Sequence, residues 1–248
     1  MSPDLALALA FADTADAISL GRFRASDLIV ETKPDRTPVT EADRAVEEAI
    51  RESLACERPG DGMLGEEFGV TGGTSRRWIV DPIDGTRNYS RGIPIWATLI
   101  ALEEDGVIRL GVVSAPALGR RWWAERGAGA FVNGDAIHVS RVAEVEDAVL
   151  CFALEQALPE IAQRCWHPRA YGDFWAHMLV AEGAVDGAFD AIGVKIWDLA
   201  ALQPIVEEAG GRFTDRDGSA RVDGLSAVSS NGLLHDALLE APLEAPDS

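Results

Sequence analysis

Two carboxylates stand three positions apart in residues 81–86, Asp-Pro-Ile-Asp-Gly-Thr, directly after a short apolar run. Both would therefore lie where a strand ends. Pro82 fixes one backbone dihedral between them, and Gly85 permits a tight turn whose following amides can face an anion at the start of a helix. Hard oxygen donors beside such a turn suit a divalent cation that holds a phosphate group.

Two further acids, Glu66 and Asp198, also lie where an apolar run gives way to a turn or a helix start. Side chains at such positions of an α/β protein converge on a cleft. Four carboxylates in one cleft would repel one another strongly unless cations neutralised them. Oxygen ligands without His or Cys favour Mg²⁺ or Mn²⁺ over zinc. Any one of these acids alone is better explained as a solvated side chain or a helix cap, so only their combination predicts a metal site.

The composition describes an ordinary globular protein. The chain has 248 residues, of which 47% are hydrophobic and 25% charged, enough for one large domain or two small ones. Its 41 acidic and 22 basic residues give a formal charge of −19. This charge opposes binding to nucleic acid or to an anionic membrane surface, and it favours cationic or metal-complexed ligands.

The sequence also indicates a compartment. The first 20 residues lack a basic leader and contain acids, so we do not expect a signal peptide. No apolar run approaches the ~18 residues that cross a bilayer. The three cysteines have no CxxC spacing, which predicts a reducing environment and no zinc site. We expect a cytoplasmic protein.

Apolar periodicity predicts an amphipathic helix over the first 20 residues and a second helix from an N-cap at Thr40 to about Cys56. Strand-like runs then indicate an antiparallel meander, at 78–80, 97–102, 110–114, 121–124 and 130–133. After about residue 143, strands alternate with helices at 172–183 and 199–209. Pro204 lies inside the last of these helices and predicts a kink there.

The expected fold class is therefore α/β, in two halves. Residues 1–142 would form an α+β half that carries most of the metal ligands. Residues 143–248 would form an α/β half that carries Asp198 and the residues that select the substrate. We expect the halves to make one compact unit, with the active site between them.

These motifs resemble the inositol monophosphatase family of Mg²⁺-dependent, Li⁺-sensitive phosphatases, over roughly residues 33–231. Three signatures carry the resemblance, and a Gly-Gly pair at 210–211 follows them at the family's usual place. The resemblance implies the layered αβαβα sandwich of the inositol monophosphatase and fructose-1,6-bisphosphatase type, phosphoric monoester hydrolysis, and a homodimer. The signatures are Gly65-Glu66-Glu67, Trp78-Ile79-Val80-Asp81-Pro82-Ile83-Asp84-Gly85-Thr86 and Trp197-Asp198-Leu199-Ala200-Ala201.

The resemblance also implies a ligand set for two or three Mg²⁺ ions, with Mn²⁺ as a possible substitute. Glu66, Asp81 and the Ile83 carbonyl would bind one ion. Asp81, Asp84 and Asp198 would bind a second, and a third, looser ion would lie near Glu66. Several metals can activate water on one side of the phosphorus and stabilise the leaving alkoxide on the other. No covalent phosphoenzyme is needed.

By the same resemblance, the attacking water is oriented by Glu66 and the Thr86 hydroxyl, and Asp43 accepts a hydrogen bond from Thr86. The competing interpretation of Asp43 is a first-turn acid that faces the helix dipole. The amides of Gly85 and Thr86 would hold the phosphate oxygens. Lys33 resembles a mobile-loop lysine of the family, or it is a solvated charge. The residues expected to contact the substrate are Ile83, Asp84, Gly85, Thr86, Arg169, Asp173, Asp190 and Asp198.

The leaving alcohol must be recognised by other residues, and the segment from Arg169 to Trp175 is the candidate. Inositol phosphatases commonly carry a small residue at the position of Asp173. This chain has a carboxylate there, followed by the aromatic residues Phe174 and Trp175. An ammonium or an imidazole would suit this pattern, which resembles the histidinol-phosphate phosphatases of this family known from actinobacteria. The hypothesis is hydrolysis of L-histidinol phosphate, with Asp173 paired to the cationic end and Arg169 lining the pocket. Alternatively, Asp173 only caps a helix.

Asp190 is a further substrate candidate. The family often places an acid seven residues before the aspartate of the third signature, where this chain has Ala191. Asp190 precedes that aspartate by eight residues, so it would reach the substrate only if the loop is one residue longer. The four histidines are dispersed, and none is assigned to chemistry.

Three other functions remain open. An inositol-1-phosphatase or another small-sugar phosphatase would use the same metals, but Asp173 and the aromatic residues argue against it. A nucleotidase for 3′-phosphoadenosine phosphates is disfavoured by short loops and few basic residues. A regulatory binding module without catalysis is disfavoured because every expected ligand and Thr86 are present.

Overall fold

A computed structural model describes residues 1–34, 36–153, 160–190 and 193–241. Within them, helices α1 to α8 span Pro3–Arg22, Glu41–Glu57, Thr86–Ser90, Ile161–Arg164, Asp173–Ala181, Ile196–Leu199, Leu202–Glu208 and His235–Glu240. Strands β1 to β15 span Val30–Thr32, Pro38–Thr40, Gly62–Gly65, Gly69–Thr71, Arg76–Asp84, Ala97–Glu104, Val107–Ala115, Arg120–Glu125, Ala130–Val132, Asp135–Ala136, Val149–Phe152, His167–Arg169, Gly187–Asp190, Arg212–Thr214 and Ala227–Ser230.

The strands form two large sheets and one hairpin. The first sheet has the order β10-β9-β8-β7-β6-β5-β3-β4, and only β3 and β5 are parallel neighbours in it. The second sheet has the order β12-β11-β13-β15-β14. Strands β1 and β2 pair separately, and Lys33 lies in the loop between them. The antiparallel meander predicted for residues 78–133 is present.

The helices make three layers around these sheets. Helices α1 and α2 cover one face of the first sheet, where Phe11 packs edge-on against Trp78 with ring centroids 5.3 Å apart. Helices α5 and α7 fill the space between the two sheets, and α8 packs on the far side of β15. The order helix, sheet, helix, sheet, helix confirms the predicted layered αβαβα sandwich.

The second predicted helix, α2, begins directly after Thr40, the residue predicted as its N-cap. Thr40 is the N-cap, and its hydroxyl accepts hydrogen bonds from the amides of Ala42 and Asp43. The Asp43 carboxylate accepts one in return from the Thr40 amide, which completes a capping box. Within the described residues, no helix is long and apolar enough to cross a membrane.

The structure divides the helix predicted for 199–209 into α6 and α7, and the division lies about one turn before Pro204. Helix α6 ends at Leu199 and α7 begins at Leu202. Pro204 is the third residue of α7, where its missing N–H would have had no helical partner in any case. At Gly111 of β7, a Cβ would lie 2.1 Å from the Ala201 carbonyl oxygen and 2.9 Å from Pro204. The break between the helices therefore packs directly on the strand.

Candidate active site

A β-bulge in β5 places the two carboxylates of the central motif. Asp81 pairs with Leu99 and Asp84 pairs with Ala97, so β5 has one residue more than β6 between these pairs. Residues three apart in a regular strand point to opposite faces, and one extra residue brings both to the same face. The bulge is fixed locally, because the Pro82 carbonyl accepts a hydrogen bond of 2.8 Å from Thr98.

Asp198 joins these two residues from the other half of the chain. One oxygen from each of Asp81, Asp84 and Asp198 lies within 4.8 Å of the others. A backbone amide holds each carboxylate: Ile83 donates to Asp81 at 3.0 Å, Phe174 donates to Asp84 at 2.7 Å, and Lys195 donates to Asp198 at 2.6 Å. The three carboxylates form what we call the carboxylate cluster.

Burial and mutual repulsion make the carboxylate cluster unfavourable without a cation. Burial, followed by the charge of Glu66, raises the pKa of Asp81 well above its usual range. Burial and the charge of Asp173 do the same for the pKa of Asp84. Burial also raises the pKa of Asp198 to about 7. A close group of buried oxygen donors without His or Cys fits a hard divalent cation such as Mg²⁺.

Glu66 lies in the loop between β3 and β4, next to the carboxylate cluster but outside its 4.8 Å group as far as the described residues show. Its amide donates to the Val80 carbonyl at 3.2 Å, which ties the loop to β5. Lys33 Nζ lies 2.7 Å from the Glu66 carboxylate and 2.6 Å from that of Glu67. The ammonium of Lys33 would therefore compete with a metal ion for the Glu66 carboxylate.

Thr86 and Asp43 lie together beside the bulge. The Thr86 hydroxyl is 2.9 Å from the Ile83 carbonyl oxygen and 3.2 Å from Asp43 Oδ1, so its proton can be donated to either. Asp43 Oδ2 accepts from the amide and the hydroxyl of Thr40 at 2.8 and 2.5 Å. Burial raises the pKa of Asp43 to about 6. Both interpretations of Asp43 therefore hold: Oδ1 is placed to accept the proton of Thr86, and Oδ2 belongs to the first turn of α2, where it binds Thr40.

Gly85 makes the turn into α3. Its φ of +82° favours glycine, and a Cβ there would lie 3.1 Å from the Ile95 carbonyl oxygen. Gly85 is the N-cap of α3, and Thr86 is the first residue of that helix. This places the amides of Gly85 and Thr86 directly after the carboxylates of β5.

Three of the predicted substrate residues, Arg169, Asp173 and Asp190, belong to the half of the chain that forms the second sheet. Arg169 ends β12 and Asp190 ends β13, and both strands run parallel to β11 between them. Asp173 is the exposed first residue of α5 with φ of +54°, a conformation that Asp tolerates better than most residues. The N-cap of α5 is Gly172, so the alternative in which Asp173 caps the helix is wrong. The loop length after Asp190 falls on residues 191 and 192, outside the described residues.

Sequence reasoning missed two buried polar side chains, one at the loop that carries Glu66 and one beside Asp190. Glu47 is completely buried in α2, and its carboxylate binds the backbone of the loop that carries Glu66. His177 is completely buried in α5, with Nδ1 2.7 Å from the Ser229 hydroxyl and Nε2 3.5 Å from Asp190 Oδ2. A polar residue on the apolar face of a predicted helix was the available signal in both cases.

The sequence profile of the inositol monophosphatase family matches residues 1–244, and the chain belongs to this family of phosphoric monoester hydrolases. The layered sandwich and the carboxylate cluster fit this class of protein. An extragenic suppressor protein SuhB from Bartonella henselae has a similar structure, with a TM-score of 0.88 and 30% identity over 96% of this chain and 97% of that one. An inositol monophosphatase from Thermotoga maritima gives a TM-score of 0.87 and 31% identity over 96% of each chain.

Sequence similarity is higher to another group of relatives. A histidinol-phosphatase of Mycobacterium tuberculosis is 56% identical over 95% of this chain and 96% of its own length. A histidinol-phosphatase of Streptomyces coelicolor is 50% identical over 95% of each chain. By comparison, an inositol-1-monophosphatase of Mesorhizobium japonicum is 36% identical over 88% of this chain and 89% of its own length.

Proposed function

We propose that the protein is a Mg²⁺-dependent phosphatase that hydrolyses L-histidinol phosphate to L-histidinol and phosphate. The observation that carries this proposal is the position of Asp173, because the amide of the next residue, Phe174, donates to Asp84 of the carboxylate cluster at 2.7 Å. An acid at this place can pair with a cationic leaving alcohol next to the phosphate site. The similarity to the histidinol-phosphatases of two actinobacteria supports the same substrate.

The proposed metal ligands are the residues of the carboxylate cluster together with Glu66 and the Ile83 carbonyl. Their donor chemistry fits two or three Mg²⁺ ions, which when bound would neutralise phosphate charge and activate water. The amides that hold Asp81, Asp84 and Asp198 keep these side chains in place before any ligand binds. The site thus has little conformational entropy to lose when it is filled.

Side chains of the protein would orient the attacking water and accept its proton. When Thr86 donates its proton to Asp43 Oδ1, its oxygen is left to accept a hydrogen bond from water. Asp43 is suited to this task because Thr40 holds its other oxygen. Glu66 would receive the water proton, and the amides of Gly85 and Thr86 would bind the phosphate oxygens.

The leaving-alcohol end of the substrate would lie near the C-terminal ends of strands β12 and β13. Asp173 would attract the cationic group, and Arg169 would line the pocket. Asp190 contributes to the negative field on Asp84 and Asp198, and it faces the buried His177. This acidic surrounding favours a cationic alcohol over a neutral polyol such as inositol.

Steady-state kinetics with Mg²⁺ test the proposal. The wild type is expected to have a higher kcat/KM for histidinol phosphate than for inositol 1-phosphate. Asp173→Ala should lower the first value by roughly 10-fold to 100-fold, as for the loss of one hydrogen bond to a charged group, and change the second much less. Asp147→Ala removes an exposed acid elsewhere in the same half and serves as the control. Equal turnover of the two substrates by the wild type would refute the assignment.

We further propose, on the family resemblance, that the enzyme is a Li⁺-sensitive homodimer that works in the cytoplasm. Analytical ultracentrifugation at assay concentration tests the dimer. Inhibition of phosphate release by LiCl, with NaCl at the same ionic strength as control, tests the sensitivity. Fluorescence microscopy of the tagged protein in its host cell tests the location.

A further inference from the structure

Glu47 is a completely buried acid that none of the proposed catalytic steps uses. It lies in α2, one helical turn after Asp43, and its side chain points towards the loop between β3 and β4. Its Oε2 accepts a hydrogen bond of 2.7 Å from the Glu67 amide, and its Oε1 accepts one of 3.1 Å from the Phe68 amide. Burial of a carboxylate is costly, and such charge-assisted hydrogen bonds offset the cost.

Arg51 fixes the same carboxylate from the next turn of α2. Its Nε and Nη2 lie 2.9 and 2.7 Å from Glu47 Oε1. The guanidinium also donates to the Thr71 hydroxyl at 2.8 Å and to the Gly69 carbonyl. Glu47 and Arg51 together therefore hold both the loop at residues 66–68 and the strand β4 that follows it.

Gly65 is the residue that lets Glu47 come so close. A Cβ at this position would lie 2.0 Å from Glu47 Oε1 and 2.2 Å from the carboxylate carbon. No side chain fits there unless the Glu47 carboxylate moves away. The glycine next to the proposed metal ligand Glu66 is thus required by a contact with α2.

We propose that Glu47 is a positioning residue for Glu66. By binding the amides of residues 67 and 68, it fixes the loop so that the Glu66 carboxylate faces the carboxylate cluster and is preorganised for a cation. This inference rests on the proposed function, since it assigns Glu66 to a Mg²⁺ site. A purely structural role for Glu47 would change the stability of the protein but not its affinity for Mg²⁺.

The test compares Mg²⁺ binding by isothermal titration calorimetry for the wild type, Glu47→Gln and Glu66→Gln. Glu47→Gln has nearly the same shape, but it has one acceptor oxygen where two amides need one each. Its Mg²⁺ affinity is expected to fall roughly 10-fold to 100-fold, as when a group that orients a metal ligand is removed, and to approach that of Glu66→Gln. The KM for Mg²⁺ should rise by the same factor, while kcat at saturating Mg²⁺ changes less.

Two further variants separate positioning from general damage. Glu48→Gln alters the exposed neighbour of Glu47 and should bind Mg²⁺ like the wild type. Gly65→Ala leaves Glu47 unchanged but displaces its carboxylate, so it should reproduce the loss of Mg²⁺ affinity. Wild-type affinity in Glu47→Gln or in Gly65→Ala would overturn the proposal.

Hydrogen exchange in the wild type needs no variant and applies even if Glu47→Gln does not fold. The amides of Glu67 and Phe68 should be protected, although they lie in a loop. Exchange as fast as that of exposed loop amides would overturn the proposal. If the wild type binds Mg²⁺ and Glu47→Gln binds it weakly, but no phosphate is released from histidinol phosphate, then the proposed substrate fails and the role of Glu47 stands.

Discussion

Asp84→Asn should stabilise the metal-free protein and weaken its response to metal. The oxygens of the carboxylate cluster lie within 4.8 Å of one another. At that separation, two unit charges repel by about 3 kcal/mol if the effective dielectric constant is about 20. Asparagine removes the charge, and its oxygen can still accept the hydrogen bond from Phe174.

The net gain is smaller than the pair repulsion. The raised pKa of Asp84 means that repulsion is already partly relieved by protonation, and a neutral acceptor bonds the Phe174 amide more weakly. We expect about 2 kcal/mol of added stability in EDTA, which corresponds to a Tm increase of roughly 4–8 °C for a chain of this size.

Excess Mg²⁺ should reverse the order of stability. A ligand at a concentration of about 100 Kd stabilises the folded state by about 2.7 kcal/mol. The wild type should gain at least this amount, whereas Asp84→Asn should gain less, because it keeps only the ion site of Glu66, Asp81 and the Ile83 carbonyl, and it should release no phosphate. Differential scanning calorimetry in EDTA and in Mg²⁺ measures both effects, with Asp147→Asn as an exposed control. A variant that melts at or below the wild type in EDTA, or gains equally from Mg²⁺, would refute the reasoning.

Two other substitutions test charges elsewhere in the chain. Lys33→Met removes the ammonium that pairs with Glu66 and Glu67. Calorimetry should therefore show roughly fivefold tighter Mg²⁺ binding, about 1 kcal/mol, while the Tm in EDTA falls because the ion pairs are lost. Unchanged Mg²⁺ affinity would contradict the competition between Lys33 and Mg²⁺. Burial lowers the pKa of His235 to about 4, so the neutral ring stabilises the folded state fully above pH 6.5 and less as the pH falls towards 4. The wild type should therefore lose about 2 kcal/mol relative to His235→Gln between pH 7.5 and 5 in urea denaturation with EDTA; a pH-independent difference would exclude this origin.

Features that depend on neighbours in the chain were predictable from the sequence. The start of α2 follows from Thr40 and Asp43, because a capping box needs only residues three positions apart. The meander follows from alternating apolar runs separated by turn residues. The resemblance to one family added the layered sandwich, and the structural comparison confirmed it.

Features that depend on contacts between distant segments were not predictable in this way. The contact of Ala201 and Pro204 with Gly111 of β7 joins residues about 90 positions apart, so the sequence could not place it. The bulge that turns Asp81 and Asp84 to one face is a property of the pairing between β5 and β6. Asp198 reaches these residues only through the packing of the two halves, so spacing along the sequence could not place it.

The Gly65-Glu66-Glu67 motif shows that the residues of one short signature can have different roles. Gly65 leaves room for the buried Glu47, and the Glu66 carboxylate pairs with Lys33. The Glu67 carboxylate also pairs with Lys33, while its amide binds Glu47. The buried Glu47 carboxylate thus binds the backbone of the loop, and the Lys33 ammonium binds its two carboxylates. Because Glu47 is proposed to position Glu66 while Lys33 competes with Mg²⁺ for it, replacing Glu47 by a neutral residue should weaken Mg²⁺ binding and replacing Lys33 should strengthen it. A simple loss of loop stability cannot produce these opposite changes.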